Sequence, residues 1–484
     1  MQKKNLFISM LCRDFHGWVV ENLATKIPIG NFVAVTEMYA GDLSRFDDTF
    51  ECGDVYRGFY HKFHRYRACP PIDDNLIRQM QPYDMEVLKM MDRHQGWKWS
   101  FEQRMQVYYS HIRFWNYILD VYQIHHAVFL NVPHEAFDYV IYCLCRLKGI
   151  QTHVFMMPYL FGSRSVLTDD FWKEQTAFQT YLSAFPFDTD VPDAALERYY
   201  EFRKAADAWS KKRRAFKSPA KWSTAKQVCR YMSYMDVRAW FESRYAGRID
   251  LQKYVKEANS HRSGIAARLY YIKNRWKTAK LTRYYEKLSE PARKGEKYFY
   301  FALHYQPEET TAPQAGGIYS NQLIAIHLLA KSLPEGYRLY VKEHPSQTHV
   351  GRHTLLYDRI KRIENVRLIS LKEDSYSLMR NAVAVSSMTG TVSIESVTSG
   401  IPCILFGKSY YNCMEGVFAV RTFAECRKAA ASIIHGKAVI DQEKVKRFCA
   451  ALYAYSSDVN IGYGEYDARE NADKMTKMLC RVLE

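Results

Sequence analysis

The sequence has 484 residues, 48% of them hydrophobic and 25% charged, which excludes a disordered chain and leaves room for two or three globular domains. Its formal charge of +16 suits anionic lipid, nucleic acid or anionic substrates without choosing among them. The excess is spread along the chain, with a local cluster at Lys211-Lys212-Arg213-Arg214, and no aromatic RNA-binding motif accompanies it, so no nucleic-acid partner is expected. The aromatic share, 15% with 37 Tyr, serves cores and interfaces first and sugar stacking second.

The 11 cysteines form no C-x-x-C pair, and Cys143 and Cys145 would point to different faces of a helix. This pattern predicts reduced thiols in a cytoplasmic protein, with no disulfide framework and no zinc site. The apolar run Asn5–Met10 is too short for a signal peptide and reads as a first strand. No apolar run approaches the ~18 residues of a membrane span.

In chain order, Leu6–Met10 is a predicted strand, Trp18–Thr25 a helix and Phe32–Val35 a strand. A long Tyr- and Trp-rich helix over Phe101–Tyr122 leads to the buried strand Ala127–Asn131. The helix Ala136–Lys148 is stopped by Gly149, and Thr152–Met156 is the next strand. Strand, helix, glycine and strand at this spacing indicate a parallel α/β sheet over residues 1–165. Residues 166–294 are charged and strand-poor, and read as a helical insertion or lid. From residue 295 to 423 the alternation resumes. Strands are predicted at Tyr298–Leu303, Arg338–Lys342, Val366–Ser370, Val383–Ser386 and Pro402–Phe406. Helices are predicted at Asn321–Ser332, Arg352–Ile363, Tyr376–Asn381 and Thr391–Ser399, the last ended by Gly400. Residues 424–484 form a helical tail. The fold class is therefore α/β, with two Rossmann-like domains facing across a cleft and a helical insertion between them. In such sheets ligands sit at the carboxyl ends of strands, and the chemically loaded motifs fall there.

Tyr340-Val341-Lys342-Glu343-His344-Pro345 ends a strand on a cation and an imidazole one pleat apart, which can hold a phosphate leaving group. In Ser386-Ser387-Met388-Thr389-Gly390-Thr391 a strand feeds a hydroxyl-rich loop that opens a helix. Free first-turn amides there attract anions, Gly390 allows close approach, and Glu395 lies one turn on, within reach of ribose hydroxyls. The loop lacks the G-x-x-x-x-G-K-S/T pattern, which disfavours a P-loop ATPase. His304-Tyr305-Gln306-Pro307-Glu308-Glu309, followed by Gly316-Gly317, places two carboxylates where a nucleophile or an acid/base would stand. Asn131-Val132-Pro133-His134-Glu135 should lie across the cleft, offering His134 or Glu135 to an acceptor hydroxyl. Asp188-Thr189-Asp190 matches the short D-x-D metal pattern but falls outside both α/β halves, so no metal is expected.

On these motifs the segment Tyr298–Phe406 resembles the capsule polysaccharide biosynthesis family, which includes retaining β-Kdo transferases. The resemblance rests on Gln306-Pro307-Glu308, Lys342–Pro345, Ser386-Ser387, Thr389-Gly390-Thr391 and Glu395. It also rests on Gly407, Tyr410-Tyr411 and, in the first half, Val132–Glu135. It implies a GT-B fold and a nucleotide-sugar donor held by the C-terminal half, CMP-activated in the Kdo enzymes. It implies that His344, Ser386 and Ser387 contact donor phosphate and that Glu395 lies near the ribose or base. An acidic nucleophile would be Glu308 or Glu309, where the Kdo members are expected to carry Asp, and Glu135 would be the acid/base. The implied acceptor is a bacterial surface polysaccharide or glycolipid, and the +16 charge allows peripheral contact with an anionic inner membrane. Three rival readings fit the same motifs: a polyol-phosphate transferase of teichoic-acid type, a nucleotide-sugar epimerase and a non-catalytic assembly scaffold.

Overall fold

The structure, a computed structural model, describes residues 3–186, 193–200 and 264–484, apart from positions 14, 38, 40, 95–98, 159, 198 and 463–465. Asp188-Thr189-Asp190 and the Lys211–Arg214 cluster lie outside the described residues.

Twelve strands form two six-stranded sheets among the described residues. The first holds β1 (Lys4–Leu11), β2 (Ile29–Thr36), β3 (Asp48–Glu51), β4 (His126–Phe129), β5 (Gln151–Met156) and β6 (Val166–Thr168), in the order β3-β2-β1-β4-β5-β6. The second holds β7 (Lys297–Ala302), β8 (Tyr337–Lys342), β9 (Val366–Ile369), β10 (Ala384–Ser387), β11 (Cys403–Leu405) and β12 (Val417–Ala419), in the order β12-β11-β10-β7-β8-β9. Counted from its own first strand, each half follows the same 3-2-1-4-5-6 order of a doubly wound Rossmann-like sheet. All pairings are parallel except β5 with β6.

The strands are apolar on both faces because helices cover both faces. In β1, Leu6 and Ile8 pack with the helix His16–Lys26, while Phe7 packs opposite with Trp115 of the helix Phe101–Val121. That long helix starts at a reciprocal cap, Ser100 accepting from the Gln103 amide and Gln103 from the Ser100 amide. The helix Phe137–Lys148 ends where Gly149 takes φ 69°, a left-handed geometry that glycine adopts without strain.

The expected break at residue 165 falls inside the first sheet, because β6 pairs antiparallel with β5, Val166 opposite Met156. A three-residue edge strand carries too little alternation to be read from sequence. Both described ends of the expected insertion belong to the body of the protein. The helix Glu174–Ala184 puts Phe178 against Tyr410 and Phe448, and the helix Gly264–Leu288 buries Tyr285 against Tyr357, with its hydroxyl donating to Ile369 O at 2.7 Å. The tail contains three helices, Phe423–Ile434, Gln442–Tyr455 and Ala468–Leu483. The last crosses back to the first half, where Met475, Leu479 and Leu483 pack on Val19, Val20 and Leu23. No described helix is long and apolar enough to cross a membrane.

Candidate active site

In a 3-2-1-4-5-6 sheet the crevice opens where the strand order reverses, between the first and fourth strands. The loops after β1 and β4 flank it in one half, and those after β7 and β10 in the other.

The loop after β4 carries His134 and Glu135. Asp138, in the first turn of the next helix, accepts from the Glu135 amide at 2.7 Å and the His134 amide at 3.3 Å, which fixes the turn. Burial pushes the Asp138 carboxyl up to about 6, with the His134 cation opposing. His134 Nδ1 donates to Val132 O, and Nε2 lies 3.3 Å from Glu135 Oε1. Burial and Arg93 push the His134 imidazole down, but Glu135 and Glu309 outweigh them and hold it up at about 9. His134 is therefore a cation at neutral pH.

The loop after β7 approaches from the other half. Glu309 Oε2 stands 3.7 Å from His134 Nδ1, and Glu309 Oε1 accepts from Gln314 Nε2 at 2.7 Å. Arg93 Nη1 lies 3.7 Å from the same Glu135 oxygen, Oε1, that His134 approaches. The side chains of Arg93, His134, Glu135 and Glu309 are no more than 15% exposed, so these charges meet with little water between them. Burial raises the Glu308 carboxyl above its ordinary value; Arg93 and His134 oppose the shift and Glu309 adds to it. Four of the residues singled out in the sequence, His134, Glu135, Glu308 and Glu309, thus form one cluster across the cleft.

A second group of residues builds the wall beside it. His304 Nε2 accepts from the amides of Met388 and Thr389 at 3.1 and 3.4 Å, and Nδ1 pairs with Thr310 Oγ1 at 3.0 Å. Burial, reinforced by His344 and Arg352, pulls His304 down to about 3, so it stays neutral and clamps the β10 loop to the β7 loop. Thr389 Oγ1 adds a bond to Thr310 O at 2.7 Å. Gln306 exchanges hydrogen bonds with Gln347, amide to Oε1 at 2.8 Å and Nε2 to carbonyl at 2.9 Å. His344 is half-buried against the Tyr305 ring at 5.8 Å, with Pro345 exposed beside it.

The hydroxyl-rich loop differs from the simple anion cradle read in the sequence. Its amides at Met388 and Thr389 are used by His304, and that at Gly390 donates to Ser387 Oγ at 2.9 Å. Thr391 is exposed at the mouth, with its Oγ1 3.4 Å from Glu395 Oε1. Ser386 shares register with Phe301 and Ile404 and therefore faces the core on their side of the sheet. Lys342 and His344 do not act as a pair. Lys342 Nζ donates to Ser375 Oγ at 2.7 Å, and burial pulls it down to about 8 against the opposing pull of Asp374, Glu373 and Glu286. Glu343 between them is structural: Arg352 Nε lies 2.7 Å from Oε2, and Tyr357 donates to Oε2 at 2.7 Å.

Sequence reasoning missed Arg93, Asp138, Arg352 and Glu86, the last accepting from the Gly317 amide across the cleft. Arg93 falls in a stretch of short helices without periodicity, and Asp138 was hidden as an ordinary helix-start acid. Among the described residues no group of three His, Cys, Asp or Glu could hold a metal ion.

No curated protein matches the chain. Many solved structures align with it at low sequence identity, three of which follow. The Thermosulfurimonas dismutans KpsC beta Kdo 2,7 transferase is 8% identical with TM-score 0.36, covering 98% of this chain and 99% of that one. The UDP-GlcNAc 2-epimerase of Methanocaldococcus jannaschii is 10% identical with TM-score 0.26, covering 99% and 100%. The Thermosulfurimonas dismutans KpsC beta Kdo 2,4 transferase is 14% identical with TM-score 0.20, covering 32% and 53%. Residues 241–442, which take in the whole second sheet, match the family model described as capsule polysaccharide biosynthesis protein.

Proposed function

We propose that the chain is a glycosyltransferase that moves a sugar from a nucleotide-activated donor to a glycan acceptor. The observation that carries this reading is the meeting of His134 and Glu135 from one half with Glu309 from the other, beside the loop that follows β10. A buried set of carboxylates held by cations at a two-half crevice suits chemistry in which positive charge grows on a sugar and negative charge on its leaving phosphate.

In this reading Glu309 is the nucleophile, a role supported by its contacts with Gln314 and His134. Its carboxylate attacks the anomeric carbon, the glycosyl–phosphate bond breaks, and the electron pair leaves with the nucleotide. The acceptor hydroxyl then attacks the same carbon, the ester to Glu309 breaks, and the hydroxyl proton passes to Glu308. Burial of Glu308 raises its basicity, which favours that role. Glu135, flanked by Arg93 and His134, sets the electrostatics rather than carrying the proton. His344 and the open rim at Thr391 are the groups offered to the leaving phosphate. The finer reading, a CMP-activated ulosonic acid such as Kdo and a bacterial surface polysaccharide or glycolipid acceptor, is supported by the motif resemblance and by the family match over 241–442.

A thermal-shift comparison of CMP, UDP, GDP and CDP tests the donor. A nucleotide present at a hundred times its Kd stabilises the native state by about 2.7 kcal/mol. CMP selectivity supports an ulosonic-acid donor, and UDP selectivity moves the reading to hexose transfer. Stabilisation by none of the four, or full turnover in Glu309→Gln, refutes the proposal.

A further inference from the structure

Beside the carboxylate cluster, at the β11–β12 end of the crevice, lies a cavity of about 610 Å³ walled by both halves. Its size falls within the range of about 300–1,000 Å³ usual for small-molecule sites. Gln314 lines it and also donates to Glu309 at 2.7 Å, so one side chain links the cavity wall to the proposed nucleophile. One wall is aromatic, with Tyr83 and Trp172 stacked at a centroid distance of 5.7 Å and an interplanar angle of 5°. The apolar C–H face of a sugar ring packs well on such a surface.

The opposite wall carries Lys408 and Arg421. The nearby carboxylates are already engaged: Glu86 accepts from Tyr139 and the Gly317 amide, and Glu425 accepts from the amides of Arg421 and Thr422. Arg421 is partly committed too, its Nη1 donating to Ala315 O at 3.0 Å and to Phe406 O. Lys408 is exposed and makes no salt bridge within 4 Å among the described residues; the Glu86 carboxylate that attracts it is itself held by Tyr139 and the Gly317 amide, which leaves the Lys408 ammonium able to turn to a ligand.

We infer that this cavity is the acceptor subsite and that it takes the end of a glycan bearing an acid group, a carboxylate or a phosphate, with the sugar ring on the aromatic wall and the oxyanion at Lys408 and Arg421. The inference rests on the glycosyltransferase reading for the word acceptor, but the binding itself does not depend on catalysis.

The test is saturation-transfer NMR on the full chain without any donor, using oligosaccharides ending in glucuronate, in glucose 6-phosphate and in glucose. The acidic ends are expected to bind more tightly than the neutral one. Lys408→Glu, a change at an exposed side chain, is expected to weaken the acidic ends by about tenfold and leave the neutral end unchanged. Trp172→Ala is expected to weaken all three. A preference for glucuronate or for phosphate identifies the source of the acid group. Equal binding of neutral and acidic ends, equal loss of all three in Lys408→Glu, or no binding by any of them overturns the inference. Failure of the nucleotide screen with these results intact would instead refute the catalytic reading alone.

Discussion

Replacing His134 by Gln removes the cation that sits between carboxylates from the two halves, 3.3 Å from Glu135 and 3.7 Å from Glu309. Folding lifts the imidazole from 6.5 to about 9, and at about 1.4 kcal/mol per pH unit that lift is worth about 3 kcal/mol. Because the folded-state value is the higher one, the contribution is complete below pH 6.5 and is lost as the pH climbs through about 9. The stability advantage of the wild type over His134→Gln should therefore shrink by about 3 kcal/mol between about pH 6 and about pH 10. Urea unfolding across that range measures the gap. NMR of carbon-13-labelled histidine, with the variant assigning the resonance, measures the titration directly. A gap that does not change with pH, or a His134 resonance titrating at or below 6.5, would show that Arg93 and burial dominate and that the cross-cleft clamp is not formed.

Glu308→Gln should lower turnover by about 10²–10⁴ and remove the acidic limb of the pH–rate profile. That limb in the wild type should lie above the ordinary glutamate value of 4.5, since burial raises Glu308 and activity grows as it deprotonates. Gly407→Ala would place a methyl 2.3 Å from Thr389 Cγ2 and 2.7 Å from Met388 O. The displaced loop should cost about 1–3 kcal/mol in unfolding experiments and weaken nucleotide binding in the thermal-shift screen. Arg352→Met should cost about 3–5 kcal/mol in urea unfolding, because it strands the buried Glu343 carboxylate and frees His304 O, to which Arg352 Nη2 donates at 2.6 Å.

The central strands were legible because burial on both faces leaves continuous apolar runs, as in Leu6–Ile8 and Phe299–Phe301, and because Gly149 and Gly400 mark helix ends. The edge strands were not. β3 reads Asp-Thr-Phe-Glu and β12 has three residues, too short and too polar to stand out. Residues at strand ends were legible as chemistry but not as geometry. Alternation placed Lys342 and His344 together, yet β8 ends at Lys342, after which the backbone turns and the two side chains take different partners. In β10 the strand runs to Ser387, so Ser386 is still inside the pleat and faces the core, while Ser387 caps the loop. The role of His304 is not legible in the sequence, because an imidazole that accepts two amides looks there like any other histidine. Arg93 came from a stretch with no pattern at all.

The two halves share a strand order, but their crevice loops divide the work differently. In the second half both loops at the reversal point are tied together, by His304 to Met388 and Thr389 and by Thr389 to Thr310. A ligand that orders the β10 loop therefore also orders the segment carrying Glu308 and Glu309. In the first half the loop after β4 contributes to the cluster together with Arg93 from a separate segment, and Asp138 locks that loop from within its own helix. Between the halves, the cluster is joined by the 3.7 Å approach of His134 to Glu309, with the Glu86 carboxylate on the Gly317 amide nearby. Opening the cleft would separate His134 from Glu309 while leaving the hydrogen bonds that shape each loop intact. The full constellation of charge then exists only when the halves are closed on one another, the condition under which water would be excluded from the proposed reaction.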